Sequence, residues 1–65
     1  MLLRIFGEKD KKIKIKGKKR IGEVLSKQKI DASLFIIRKN KEIVLEHDYV
    51  NDSDEIELIP ISSGG

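Results

Sequence analysis

Apolar and polar residues alternate near the end of the chain, and this alternation predicts a strand. The segment reads Glu-Ile-Glu-Leu-Ile-Pro over residues 55–60. A period of two buries one face of a strand and leaves the other face in water. We therefore expect the final strand near the middle of a sheet. Regular pairing should fail at Pro60, because proline has no N–H to donate.

Four further strands and one helix are predicted upstream of that segment. Short apolar or alternating runs predict strands over residues 2–6, 12–16, 34–37 and 43–45. Ile21, Val24 and Leu25 have the i, i+3, i+4 spacing of one helix face, which predicts a helix over residues 20–29. Gly22 weakens this helix, and no residue with a good capping side chain precedes it.

The order of these elements predicts an α+β fold, with a mixed sheet of about five strands and the helix packed on one face. The first strand begins near Met1 and the last ends near Ile61, so the two fit side by side and parallel, with the intervening chain as a crossover. Residues 1–61 would form one domain. Residues 62–65 have no apolar side chain to bury and would form a flexible tail.

Length and composition exclude several classes of function. A chain of 65 residues predicts a small core without a large active-site cleft, and the absence of cysteine excludes a disulfide or a thiolate nucleophile. His47 is the only histidine, and no nucleophile–base pair, metal cluster or glycine-rich phosphate loop is visible. No apolar run reaches the roughly 20 residues of a membrane span. We expect a cytoplasmic protein that is not an enzyme.

Charge divides the chain into two halves. Residues 1–29 contain eleven Lys or Arg and three acids (+8), whereas residues 30–65 contain three Lys or Arg and eight acids (−5), which sums to the net charge of +3. A basic half can bind phosphates. However, the lysines of residues 11–16 alternate with Ile13 and Ile15, and no aromatic residue interleaves with them to stack bases. A solvated strand face is therefore favoured, and nucleic-acid binding is the less favoured alternative.

The chain ends on Gly64 and Gly65. A frayed end or a cloning remnant would explain such a pair. The functional interpretation is that the terminal carboxylate is the reactive group, delivered through a narrow channel into the active site of a partner. Side chains at these two positions would block the channel, whereas glycine permits close approach of the backbone.

The whole chain resembles the β-grasp sulfur carriers and ubiquitin-like modifiers. The resemblance rests on the order of elements, on Lys-Asn-Lys-Glu-Ile-Val-Leu-Glu at 39–46, on Ser-Asp-Glu-Ile-Glu-Leu-Ile-Pro-Ile at 53–61 and on the terminal Gly-Gly. It is closest to the thiamine-pathway carriers and to the archaeal small modifiers, and the family also includes the molybdopterin-pathway carriers. Ser62-Ser63 departs from the family pattern, in which many relatives carry a larger apolar or basic residue before the glycines.

The resemblance implies a mechanism and a set of partners. A ubiquitin-activating-type enzyme, which supplies ATP and Mg²⁺, would adenylate the carboxylate of Gly65. A sulfur donor, either a sulfurtransferase or a cysteine desulfurase, would then form a thiocarboxylate for a sulfur-acceptor enzyme. Alternatively, the activated end would be linked to target lysines. The sequence does not distinguish sulfur carriage from attachment to lysines. A second class of function also stays open, an interaction domain whose tail is not used.

A tail of four small residues offers little apolar area, so the activating enzyme should also dock on the folded domain. We expect this surface on the sheet face away from the helix, because Ile59 alternates with the buried positions Ile56 and Leu58. The candidate docking residues are Ile59, Ile61, Phe35 and Ile37. The sequence leaves open which alternate pair of residues 34–37 points outward. We expect a monomer that binds no metal, no membrane and no specific nucleic acid.

Overall fold

The computed structural model describes residues 1–61, which form seven β-strands, one α-helix and a short 3₁₀ turn. The strands are β1 (Leu2–Ile5), β2 (Lys11–Lys12), β3 (Lys19–Arg20), β4 (Phe35–Lys39), β5 (Glu42–Val44), β6 (Tyr49–Val50) and β7 (Glu55–Pro60). The helix α1 spans Ile21–Lys27, and the 3₁₀ turn spans Ala32–Leu34.

Five strands form one mixed sheet in the order β2-β1-β7-β4-β5. Strands β1 and β7 are parallel neighbours, and the other pairs in this sheet are antiparallel. The predicted α+β fold, the parallel pairing of the first and last long strands and the central place of the final strand are confirmed. A separate two-stranded sheet, β3-β6, was not predicted because each of its strands has only two residues.

The hydrophobic core lies between α1 and one face of the five-stranded sheet. Eleven apolar residues are buried there: Met1, Leu3, Ile5, Ile15, Ile21, Val24, Leu25, Ile37, Val50, Ile56 and Leu58. The strand register explains this set, because Leu3 lies opposite Ile56 and Ile37 lies opposite Leu58. The other face of the sheet is left without a covering layer from residues 1–61.

Backbone carbonyls of a distant loop replace the missing cap of α1. The N-cap residue Arg20 makes no side-chain capping bond. Instead, the N–H groups of Ile21 and Gly22 donate to the carbonyl oxygens of Asp48 (2.8 Å) and Glu46 (2.7 Å). A Cβ at position 22 would lie 3.2 Å from the Glu46 oxygen, so glycine permits this close approach. The helix is shorter than the predicted residues 20–29.

The predicted second strand over residues 12–16 is wrong in extent, because pairing stops at Lys12. Beyond it, the N–H of Ile13 donates to the Met1 carbonyl (2.8 Å), and the N–H of Ile15 donates to Asp52 Oδ1 (2.9 Å). Ile13 therefore remains hydrogen-bonded to the sheet edge at Met1, and residues 14–16 continue beyond the sheet, beside residues of α1. Ile15 is nevertheless buried, as its alternation with lysine predicted.

Strand β4 runs two residues further than predicted and joins β5 through a two-residue turn. Asn40 and Lys41 have φ values of 49° and 72°, the pattern of a type I′ turn. Asparagine adopts positive φ more readily than most residues, which suits Asn40 to this turn. The Asn40 side chain also donates to Asp54 Oδ1 (3.0 Å) and accepts from the Glu55 N–H (3.0 Å), which connects the turn to the start of β7.

The prediction that regular pairing fails at Pro60 is wrong. Pro60 is the last residue of β7 and lies opposite Phe35. The Ile61 N–H donates to the Leu34 carbonyl at 2.9 Å, so β4 remains hydrogen-bonded past the proline. The proline nitrogen faces the opposite side, toward β1, which has already ended at Ile5. The missing N–H therefore removes no hydrogen bond from the β4–β7 ladder.

Candidate functional site

The central strand β7 leads the chain out of the sheet at Ile61. Its neighbours β1 and β4 pair along most of its length, and the hydrogen bond from Ile61 to Leu34 is the last one before the tail. The predicted reactive residues Gly64 and Gly65 lie outside the described residues. The structure therefore describes the point from which the tail departs and the surface around it.

A row of apolar side chains crosses three strands on the open face of the sheet beside this exit. Ile36 lies opposite Ile59 in the β4–β7 register. The Phe6 N–H donates to the Leu58 carbonyl at 3.1 Å, which continues the β1–β7 register and brings Phe6 beside Ile59. Phe6 is 76% exposed and Ile36 is 41% exposed, whereas Ile59 is half-buried.

Two more exposed apolar residues extend this row to the base of the tail. Leu34 and Ile61 are joined by their backbone hydrogen bond, and their exposed fractions are 58% and 52%. We name the five residues the exit patch: Phe6, Leu34, Ile36, Ile59 and Ile61. Large apolar groups clustered on a surface typically mark a site for a partner rather than a random exposure.

The structure places two of the four predicted docking residues, Ile59 and Ile61, in the exit patch. Ile37 is wrong as a surface residue, because it is only 4% exposed and lies opposite Leu58 in the core. Phe35 is also wrong as an outward residue, because it is half-buried and packs against the core. The register of β4 against β7 therefore directs the alternate pair, Leu34 and Ile36, away from the core.

The sequence-based prediction missed Phe6 as a member of this surface. The signal was present in the sequence of β1, where the charged Arg4 lies between the core residues Leu3 and Ile5. Phe6 follows Arg4 by two residues, and residues two apart lie on the same face of a strand. The omission arose because Phe6 ends an apolar run that otherwise predicts core residues.

A row of charged side chains borders the exit patch on the same sheet face. Arg4 and Arg38 flank Glu57 in the strand register, with 3.9 Å between Arg38 Nη1 and Glu57 Oε1. Arg4 also pairs with Asp10 (3.3 Å) and Glu55 (3.5 Å). The hydrogen bond and charge of Asp10, together with the charge of Glu55, raise the pKa of Arg4. The surface thus combines an apolar centre with a polar rim, as protein interfaces do.

Comparison with known protein families adds the decisive observation. The model of the ThiS family matches residues 2–65, which includes the terminal glycines. The chain belongs to the ThiS family, a β-grasp family of sulfur carriers. No curated protein matches the chain.

Membership of the ThiS family gives this protein a general role as a sulfur carrier. ThiS sulfur carriers are small substrate-carrying proteins, and the family implies contacts with adenylating and sulfur-transfer enzymes. Within residues 1–61, no group of three or more His, Cys, Asp or Glu side chains is placed to hold a metal ion. The helix found within residues 1–61 is not long and apolar enough to cross a membrane.

Proposed function

We propose that this ThiS family protein carries sulfur as a thiocarboxylate on Gly65. The observation that supports the proposal is the family match, which continues through Gly64 and Gly65 to the end of the chain. A carboxylate oxygen of Gly65 attacks the α-phosphorus of ATP and releases pyrophosphate, which yields an acyl-adenylate. The terminal sulfur of a persulfide on the donor enzyme then attacks the carbonyl carbon, the C–O bond to AMP breaks, AMP leaves with the bonding electrons, and an acyl disulfide forms. A thiol of a partner enzyme attacks the donor's sulfur in this disulfide, so that a disulfide between the two enzyme thiols forms and the thiocarboxylate leaves with the electrons of the S–S bond.

A partner enzyme must perform the activation. A carboxylate is a poor electrophile until its oxygen becomes part of a leaving group, and the sequence contains no phosphate-binding loop that would hold ATP. The activating enzyme therefore supplies ATP and Mg²⁺, and a sulfurtransferase or cysteine desulfurase supplies sulfur. This protein contributes the carboxylate of Gly65, the tail that carries it and the folded domain to which the enzyme binds.

The two glycines suit a carboxylate that must enter an enclosed active site. A residue without Cβ allows the walls of a channel to approach the backbone closely. The four residues after Ile61 span at most roughly 14 Å when fully extended. The activating enzyme must therefore bind close to the exit point in order to reach Gly65.

The exit patch is the surface that meets this requirement. It includes Ile61 at the base of the tail, it contains exposed apolar side chains, and the row of Arg4, Glu57 and Arg38 borders it on one side. Burying exposed apolar groups stabilises a complex by about 25 cal/mol for each Å² removed from water. We propose that the activating enzyme docks on the exit patch while the tail enters its active site.

The family match favours sulfur carriage over attachment to lysines, although both routes begin from the same adenylate. The two products differ in mass. A thiocarboxylate makes the free protein heavier by the difference between one sulfur and one oxygen atom, whereas an isopeptide bond joins it to a larger protein. Intact-mass analysis of protein isolated from its native cell distinguishes these products.

Deletion of Gly65 tests the proposed chemistry. The variant should lose ATP–pyrophosphate exchange with the cognate activating enzyme, because the carboxylate would end one residue short of the reaction centre. Its melting temperature should match that of the wild type, since the core lies within residues 1–61. Ser63→Ala is the matched control, because it keeps the length of the tail and both glycines. Full exchange activity in the deletion variant would contradict the mechanism.

A further inference from the structure

A groove lined by lysines lies between residues 13–16 and helix α1. Its volume is about 150 Å³. The lining residues are Ile13, Lys14, Ile15, Lys16, Lys19, Glu23, Val24, Lys27 and Gln28. The groove exists because residues 14–16 continue beyond the sheet edge and pass beside the helix, which brings lysines from separate parts of the sequence together. We name Lys14, Lys16, Lys19 and Lys27 the groove lysines.

The charge of this groove is not balanced by its own residues. Glu23 is the only acid that lines it. The ion pairs found within residues 1–61 involve the N-terminal amine, Arg4 and Arg38, and none of them includes a groove lysine. Lysines that line one depression repel one another through their charges and attract an anionic ligand. A ligand with several negative charges would therefore gain favourable interactions with more than one lysine.

The groove faces a different side of the molecule from the exit patch. Helix α1 covers the core face of the sheet, whereas the exit patch lies on the open face. A partner in the groove would therefore leave the exit patch and the base of the tail accessible. The two surfaces can serve two partners at the same time.

We propose that the groove lysines bind an acidic segment of a partner protein. Complementary charge is the first argument for this occupant. The second is the apolar floor, formed by half-buried Ile13 and the buried side chains of Ile15 and Val24, which suits a peptide that carries apolar as well as acidic side chains. Nucleic acid fits less well, because none of the lining residues is aromatic or arginine, so the groove offers no surface for stacking bases. This proposal does not depend on the chemistry at Gly65.

Fluorescence anisotropy on the full chain tests the proposal with two labelled probes, a short poly-L-glutamate peptide and an oligouridine of the same formal charge. The test variant is Lys14→Glu/Lys16→Glu/Lys27→Glu. The control variant, Lys9→Glu/Lys11→Glu/Lys12→Glu, changes exposed lysines outside the groove. Each triple substitution changes the net charge by −6, from +3 to −3. The two variants therefore share a net charge and differ only in where it changes.

The groove variant should bind polyglutamate at least about tenfold more weakly than the wild type, and the control should lose distinctly less. The affinity of the wild type should fall as salt rises, because charges on a surface are screened over about 8 Å at physiological ionic strength. Circular dichroism should show that both variants are folded. If the groove variant is unfolded, the corresponding Lys→Gln triplets repeat the comparison with a smaller expected loss.

Three results would overturn the proposal. Equal losses in the groove and control variants would show attraction to net charge alone. Tighter binding of oligouridine than of polyglutamate at physiological salt would identify a nucleic-acid surface. Sedimentation that shows wild-type dimers dispersed by the groove variant would identify a second copy as the occupant, bound through its acidic residues 46–54.

Discussion

Truncation of Phe6 gives the most direct test of the exit patch. Phe6 follows β1 beside Ile59 and is 76% exposed, so it contributes little to the core. Full burial of a Phe side chain contributes about 1.5–3 kcal/mol. Burial of the 76% that remains exposed would contribute about 1–2 kcal/mol to docking. Phe6→Ala should therefore weaken binding to the activating enzyme roughly five- to thirtyfold.

Ile43→Ala provides a control for nonspecific loss of exposed apolar surface. Ile43 is 73% exposed and lies opposite Arg38 on the edge strand β5, outside the exit patch. Calorimetry with the activating enzyme measures the dissociation constant, and the KM for this protein in ATP–pyrophosphate exchange gives a second readout. Ile43→Ala should leave both within about twofold of the wild type. Thermal unfolding should be nearly unchanged in both variants.

Two results would refute the reasoning about the exit patch. Unchanged binding by Phe6→Ala would show that this end of the sheet is not part of the docking surface. Equal weakening of enzyme binding by Phe6→Ala and Ile43→Ala would show that the enzyme recognises a broader surface, to which the exit patch contributes no more than other exposed apolar residues.

Three further predictions concern docking, the hairpin and the response to acid. Ile59→Asp should weaken activation at least about tenfold (1.4 kcal/mol) with little change in melting temperature; unfolding seen by circular dichroism would instead identify Ile59 as a core residue. Lys41→Gly should raise the free energy of unfolding by about 0.5–1 kcal/mol in urea titrations, because the positive φ following Asn40 suits glycine. The pKa of Asp52 is lowered by the hydrogen bond from the Ile15 N–H and by the N-terminal ammonium, so the carboxylate stabilises the fold above its ordinary pKa of 3.8. Stability should therefore fall as the pH drops below about 3.8, and Asp52→Asn should make this fall smaller.

The sequence by itself determined which residues of the long strands alternate between core and surface. In β7, period two separates Ile56 and Leu58 from Ile59, because successive side chains of a strand point to opposite faces. The spacing of Ile21, Val24 and Leu25 also predicted the buried face of the helix correctly, since all three lie in the core. These patterns are local, so they need no knowledge of the partner element.

Only the tertiary structure decided which members of the four-residue apolar run reach the surface. Residues 34–37 are all apolar, so their sequence contains no alternation from which to choose a face. The choice comes from pairing with β7, which places Ile36 opposite Ile59 and Ile37 opposite Leu58. A shift of one residue in that register would reverse the two faces.

Long-range contacts also decided the start of the helix and the groove. The N–H groups of Ile21 and Gly22 bond to carbonyls of a loop more than twenty residues away, which no local capping pattern can indicate. Lys14 and Lys27 line one groove only because residues 14–16 continue beyond the sheet and run beside α1. The alternation of lysine and isoleucine determined that these lysines are exposed. Helix packing decided that they line one depression, because residues distant in sequence become neighbours only when the core brings their elements together.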